Sequence, residues 1–293
     1  MYYDLNIASE IPILSESCSK NNINCDVKIY LDNQLKEKQK VDAQAKTHES
    51  IIYQHKDVGI FEIIQGKEIR IKVNKGVADQ EVARILLGLS MGYLLMQRGL
   101  HVLHASVVNI NGQAVAFTGL SGTGKTTMAA SFLQNSYSIL TEDIAAVDVS
   151  SMMVTPAFPS LRIGKDALEQ LDLPPGELKT ATTDSRNRII YTMDDKQFCR
   201  QPTKLKNCYL LEWGEQLRIE SVEAKQAFVD LFPHTFRPLT DKGTERLDLE
   251  SFTKMTDFAS QVSVYKLTRP KSFASLDGCR ALVVEHLQQT ESG

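Results

Sequence analysis

The sequence predicts an α/β protein with a mixed sheet, and three patterns carry that expectation. Short β-branched and aromatic runs fill residues 1–75. From residue 79 onward, helix-period and strand-period stretches alternate, the mark of helices packed on a sheet. Within that alternation, Asn111-Gly112 separates two apolar runs, which is the strongest short hairpin signal and puts an antiparallel pair inside the sheet. The expected division is a small β-rich N-terminal region over 1–75 and an α/β domain over 76–293.

In the N-terminal region, Val27 to Leu31 and Ile60 to Ile64 read as strands bounded by polar turn residues such as Gly66-Lys67. Asp32 to Ser50 is charged and Gln-rich, the composition of a surface loop or a marginal helix. A helix follows, with Asp79 as its cap, Glu81 in the first turn and Gly99 past the end. Its apolar stripe, Val82, Ile85, Leu86, Leu89, Tyr93 and Met96, is a core face.

Ala105 to Ile110 and Gln113 to Thr118 are the hairpin strands, and a helix is expected over about 125–134. Ser138 to Thr141 is a strand ending on Glu142-Asp143, and Ile144 to Asp148 is another. Further on, Leu168 to Leu171, Val222 to Phe232 and Phe273 to Leu287 read as helices, with strands at Asn207 to Trp213 and Val262 to Thr268.

The five cysteines are odd in number, widely spaced and without a CxxC pair, so neither a bridged scaffold nor a structural zinc is expected. A formal net charge of -3 gives no basic footprint and argues against a nucleic acid or an anionic membrane as the main partner. MYYDLNIASEIPILSES lacks a basic stretch followed by an apolar one, and no apolar run reaches membrane-spanning length. A soluble cytoplasmic protein is expected, with self-association into a homo-oligomer left open.

The chemistry is concentrated after the hairpin. Gly119, Leu120, Ser121, Gly122, Thr123, Gly124, Lys125 and Thr126 spell GLSGTGKT, matching GxxxxGK[ST], with Thr127 following. In that pattern backbone NH groups wrap phosphates, the lysine reaches the β and γ phosphates and the hydroxyl holds magnesium. Glycines allow the tight path, and the helix opening at Lys125 turns its positive end toward the same anion. ATP and Mg2+ are therefore the expected ligands.

A two-residue turn at Asn111-Gly112 pairs Ile110 with Gln113 and, without a bulge, His104 with Gly119. That register brings His104 beside the phosphate loop, whereas His101 is expected at the surface or in the core. Glu142-Asp143 should lie at the carboxyl edge of the sheet, where open α/β sheets bind ligands. One carboxylate there can hold magnesium and the other can orient an acceptor hydroxyl and take its proton, with Asp148 as the fallback ligand.

Taken together, LHASVVNINGQAVAFTGLSGTGKTTMAASFLQNSYSILTEDIAAVD, Leu103 to Asp148, resembles the catalytic core of the HPr kinase/phosphorylase family. The resemblance is strongest to its shorter HPr-kinase-like relatives, which include kinases of lasso-peptide clusters that phosphorylate a peptide precursor. It rests on a histidine opening the strand, the hairpin, a GxSGxGK[ST] loop and an acidic pair after the next strand. Weaker similarity extends over residues 81–98 and over TPAFPSLRI, Thr155 to Ile163. The implied fold is a P-loop kinase core with a mixed sheet, of the type shared with phosphoenolpyruvate carboxykinases.

The resemblance implies that Asp143 is tied to the metal, that His104 supports the phosphates and that Arg162 lies near the acceptor or product phosphate. Glu142 stands where the family has the aspartate acting as general base, so its carboxylate reaches one methylene further. The polar stretch PPGELKTATTDSRNR, Pro174 to Arg188, offers Lys179, Arg186 and Arg188 as a lid or charge clamp. The extended signature that accompanies phosphorylase activity is absent. The implied activity is transfer of the γ phosphate to a serine of a protein, such as an HPr-like carrier, or of a ribosomal peptide precursor. A small-molecule kinase on the same scaffold and a nucleotide-binding regulatory module or ATPase remain the alternatives.

Overall fold

A computed structural model of the chain describes residues 2–12, 25–35, 50–173, 188–237 and 247–291. Two units divide them, Met1–Val102 with Phe236–Lys254, and Leu103–Thr235 with Met255–Gly293.

The first unit carries β1 (Ile7–Ser9), β2 (Val27–Leu31), β3 (Ser50–His55), β4 (Gly59–Ile64) and β5 (Glu68–Val73), in the order β1-β2-β5-β4-β3. β2 runs parallel to β1 and β5, while β4 is antiparallel to β3 and β5. Alternation builds the sheet's inner face: Ile69 and Ile71 of β5 are buried, whereas Arg70 and Lys72, each following one of them, are not.

The helix after it is not continuous. α1 (Asp79–Ile85) and α2 (Met91–Gln97) are joined by a wider π-helical turn, Leu86–Ser90. At that turn the Ser90 hydroxyl shares a 2.6 Å hydrogen bond with Tyr53. Asp79 is the first helical residue rather than the cap, a position Ala78 takes without a side-chain bond.

β6 (His101–Leu103) leads into the second unit, where β7 (Ala105–Ile110) and β8 (Gln113–Thr118) form the expected hairpin. Asn111 and Gly112 have φ of 53° and 86°, as a type I′ turn requires. The register runs from Ile110 with Gln113 to Ala105 with Thr118 and contains no bulge.

Next come α3 (Lys125–Leu133), β9 (Ser138–Thr141), β10 (Ala145–Asp148), β11 (Met153–Thr155), β12 (Ser160–Gly164) and α4 (Lys165–Gln170). β13 (Arg188–Thr192), β14 (Thr203–Trp213), β15 (Arg218–Ser221) and α5 (Ala224–Leu231) follow, then α6 (Leu249–Gln261), β16 (Ser263–Arg269) and α7 (Leu276–Glu291).

The sheet is mixed, as expected. β8 and β16 both run parallel to β14, whereas β7 is antiparallel to β8 and β9, and β15 to β16. β8 is buried on both faces, which explains its unbroken apolar run. Phe117 packs against Phe132 of α3 and Tyr209 of β14 on one side, and Ala114 and Ala116 belong to a core shared with Ala227, Leu231 and Phe258 on the other.

Most of the Asp32 to Ser50 stretch, 36–49, lies outside the described residues, and so do 174–187 of the Pro174 to Arg188 stretch. Arg188 itself opens a strand rather than closing a loop. Among the described residues, no helix is long and apolar enough to cross a membrane.

Candidate active site

The loop between β8 and α3 follows a path that its glycines permit. Gly119 has φ of 143°, and a Cβ there would lie 2.9 Å from the Leu211 carbonyl of the neighbouring β14. Helix α3 begins at Lys125, immediately after Gly124 in a left-handed conformation. Its first residue folds back: the Lys125 Nζ donates to the carbonyls of Gly119 (2.8 Å) and Leu120 (3.3 Å). Burial pushes the Lys125 ammonium below its usual range, against the pull of Asp143 and Glu142. Thr123 Oγ1 ties the loop to itself through the Leu120 carbonyl at 2.9 Å, while Leu120 and Ser121 stay exposed.

β9 delivers the acidic pair next to this loop. Thr126 Oγ1 donates to Glu142 Oε1 at 2.6 Å. Arg162, on β12, bridges the two acids, with Nε 3.5 Å from Glu142 Oε2 and Nη2 2.5 Å from Asp143 Oδ2. On the other side, His104 Nδ1 lies 3.2 Å from Asp143 Oδ1. His104, Thr126, Glu142, Asp143 and Arg162, taken from four segments, thus form one continuous chain of polar contacts.

The backbone holds His104 there: its NH donates to the His234 carbonyl at 2.7 Å, and its own carbonyl accepts from Thr118 Oγ1 at 2.9 Å. The ladder ends at Ala105 with Thr118, so the expected pairing of His104 with Gly119 does not form; His104 adjoins the last pair and its side chain reaches Asp143.

The two carboxylates differ in environment. Burial raises Glu142 to about 6, with Arg162 opposing and the Asp143 charge adding to the rise. Burial also acts upward on Asp143, but Arg162 and His104 outweigh it and hold this carboxyl below its ordinary value. Arg162 is itself raised: burial works against its charge, and Glu142 and Asp143 overcome it. His104 is lowered, chiefly by burial, although Asp143 favours its charged form.

Arg188 pairs within the β12–β13 ladder opposite Gly164, and its charge lowers both Glu142 and Lys125, so it belongs to the electrostatic surroundings of the site. Arg186 and Lys179 lie outside the described residues. His101 is buried, and burial together with Lys254 lowers it to about 3, the behaviour of a core histidine. Asp148 accepts from the Ser150 and Ser151 hydroxyls at 2.7 and 2.9 Å, so it is engaged in a local turn.

Among the described residues no group of three or more His, Cys, Asp or Glu is arranged to hold a metal alone. The oxygens of Thr126, Glu142 and Asp143 nonetheless fit a magnesium ion that takes its other ligands from phosphates and water, the usual manner of that ion.

Four further residues adjoin the loop without any motif marking them. A cleft of about 480 Å³ is lined by Gly119, Leu120, Thr123, Trp213, Asp230 and His234. Arg269, at the end of β16, stacks on Trp213 with its guanidinium carbon 4.2 Å from the ring centroid. These residues lie at strand and helix ends far apart in sequence, where local patterning carries no signal.

No family model matches the chain, and no curated protein matches it. Among solved structures it is distantly similar to the Hpr(Ser) kinase/phosphatase from Coxiella burnetii, at 10% identity and a TM-score of 0.35. That match covers 65% of this chain and 93% of the other.

Proposed function

We propose that the protein is an ATP-dependent kinase that transfers the γ phosphate to a serine hydroxyl of a protein or a ribosomally made peptide. The observation that carries this reading is the contact of the acidic pair with the phosphate loop, through Thr126 and Glu142, with Asp143 beside it between His104 and Arg162. A loop built only to hold a nucleotide needs no second carboxylate so placed.

In the reaction, the acceptor oxygen bonds to the γ phosphorus as the bond to the β,γ-bridging oxygen breaks, ADP departs and the hydroxyl proton passes to a carboxylate. Backbone NH groups from Gly119 to Thr126 and the Lys125 ammonium bind the phosphates. Lys125 exchanges its bonds to the Gly119 and Leu120 carbonyls for phosphate oxygens. Thr126 and a carboxylate would hold a magnesium ion, which would neutralise charge on the phosphates. Arg162 keeps the two acids apart in role and orientation.

The family resemblance assigns Glu142 to the proton and Asp143 to the metal. The environments of the two acids support that division: Glu142, raised to about 6, is the better proton acceptor, and Asp143, held below its ordinary value, keeps the charge that a metal ligand needs.

Incubation of the purified protein with Mg-ATP and peptides or carrier proteins encoded beside its gene, read by mass spectrometry, tests the function. A phosphoryl group on one serine, lost when that serine is changed to alanine, supports it. ATP consumption at the same rate with every acceptor and no phosphorylated product supports the ATPase alternative, and phosphorylation of a small hydroxyl compound alone supports the small-molecule kinase.

A further inference from the structure

We propose that Arg269, backed by Trp213, is a polyphosphate-binding residue of the nucleotide site, a second cation that the loop motif does not assign. The inference deepens the reading of this site as a nucleotide site and rests on it.

Arg269 is only 3% exposed, yet among the described residues it forms no ion pair. Its Nε has no hydrogen-bond partner, and its Nη1 reaches the Pro270 and Ser272 carbonyls and Ser275 Oγ only at 3.5 Å each. A buried guanidinium in that state is costly, because among the described residues no carboxylate compensates its charge. Burial accordingly shifts it downward from its usual value.

The position of the cation raises the cost further. A Cβ on Gly124 would lie 2.5 Å from Arg269 Nη2 and 3.7 Å from Trp213 Cη2, so the arginine is packed against the residue that precedes the first turn of α3. The positive end of that helix, the Lys125 ammonium and Arg269 gather in one place; Asp143 and Glu142 act on Lys125, but among the described residues no carboxylate pairs with Arg269. A ligand carrying several negative charges resolves all three at once. Trp213 covers one face of the guanidinium and leaves its NH edge for oxygen atoms, the geometry in which arginine binds phosphate.

The chain has one tryptophan, so Trp213 emission reports on this pair directly. The experiment titrates Mg-ATP and, separately, Mg-tripolyphosphate into the wild type and into Arg269→Gln, Arg269→Lys and Lys125→Ala, following Trp213 emission and calorimetric heat. Melting temperatures are recorded with and without ligand. Loss of a charge-assisted bond should weaken both ligands by the same factor, roughly 10-fold to 100-fold, in Arg269→Gln. Arg269→Lys should recover part of that loss. Without ligand, Arg269→Gln should melt no lower than the wild type, because it removes an uncompensated charge.

A lower melting temperature with undiminished affinity would make Arg269 merely structural and overturn the proposal. A loss seen with ATP but not with tripolyphosphate would overturn it in favour of contact with the base. If the wild type binds and Lys125→Ala does not, while Arg269→Gln binds normally, only the role of Arg269 falls. If the wild type binds neither ligand, the nucleotide reading itself fails, and the role of Arg269 with it.

Discussion

Thr126 and Glu142 are joined by a 2.6 Å hydrogen bond that connects the first turn of α3 to the end of β9. It couples the group expected to touch magnesium to a carboxylate that burial holds near neutrality, with a value of about 6. The neighbouring Asp143 faces His104 and keeps its charge. Two adjacent acids on one strand end are thereby separated in chemistry by their contacts alone.

This separation gives distinct kinetic signatures. Asp143→Asn should raise the Mg2+ concentration needed for half-maximal transfer. Glu142→Gln should lower kcat by about a hundredfold at saturating Mg2+, the loss expected when a general base is removed. Initial rates measured across a magnesium titration check both. The reverse pattern would give the proton to Asp143.

Arg162 bridges both carboxylates in a largely buried setting, so its removal leaves two like charges facing each other. Arg162→Ala should cost about 3 kcal/mol of folding stability, and Arg162→Lys less. Urea unfolding at neutral pH measures this. A cost below about 1 kcal/mol would show that the acids are solvated rather than held by the arginine.

His234 is lowered to about 4, first by burial and then by the charges of Lys125 and His104. The fold therefore favours its neutral form. Its contribution to stability is complete above the ordinary histidine value of about 6.5 and is lost as pH falls toward about 4. Between pH 7.5 and 5 the wild type should lose about 2 kcal/mol that His234→Gln does not lose. Parallel urea titrations of the two proteins at both pH values give the difference.

The hairpin shows why part of this was readable in advance. Asn111-Gly112 fixes a turn type, the turn type fixes a register, and the register leaves His104 just past its last pair, at the edge where the acids end up. Lys125-Thr126 and Glu142-Asp143 are likewise contiguous, so their chemistry is visible along the chain. Ser50–His55 and Glu68–Val73 were not read as strands, because each is a short run beside polar residues and is stabilised by pairing with β4. The π-helical turn in the helix has no mark in the local apolar stripe, and its Ser90 hydroxyl is tied to Tyr53 on β3. Trp213 and Arg269 meet the phosphate loop only because β14 and β16 pair parallel beside β8, a relationship set by long connections and invisible in any window of sequence.

The most direct test of the central claim is calorimetric binding of ATP to the wild type and to Lys125→Ala, with magnesium and with a chelator. The account expects saturable, magnesium-dependent binding of one nucleotide by the wild type and its loss in Lys125→Ala, where the phosphates lose their ammonium. Binding of equal strength in Lys125→Ala, or none in the wild type, would contradict it.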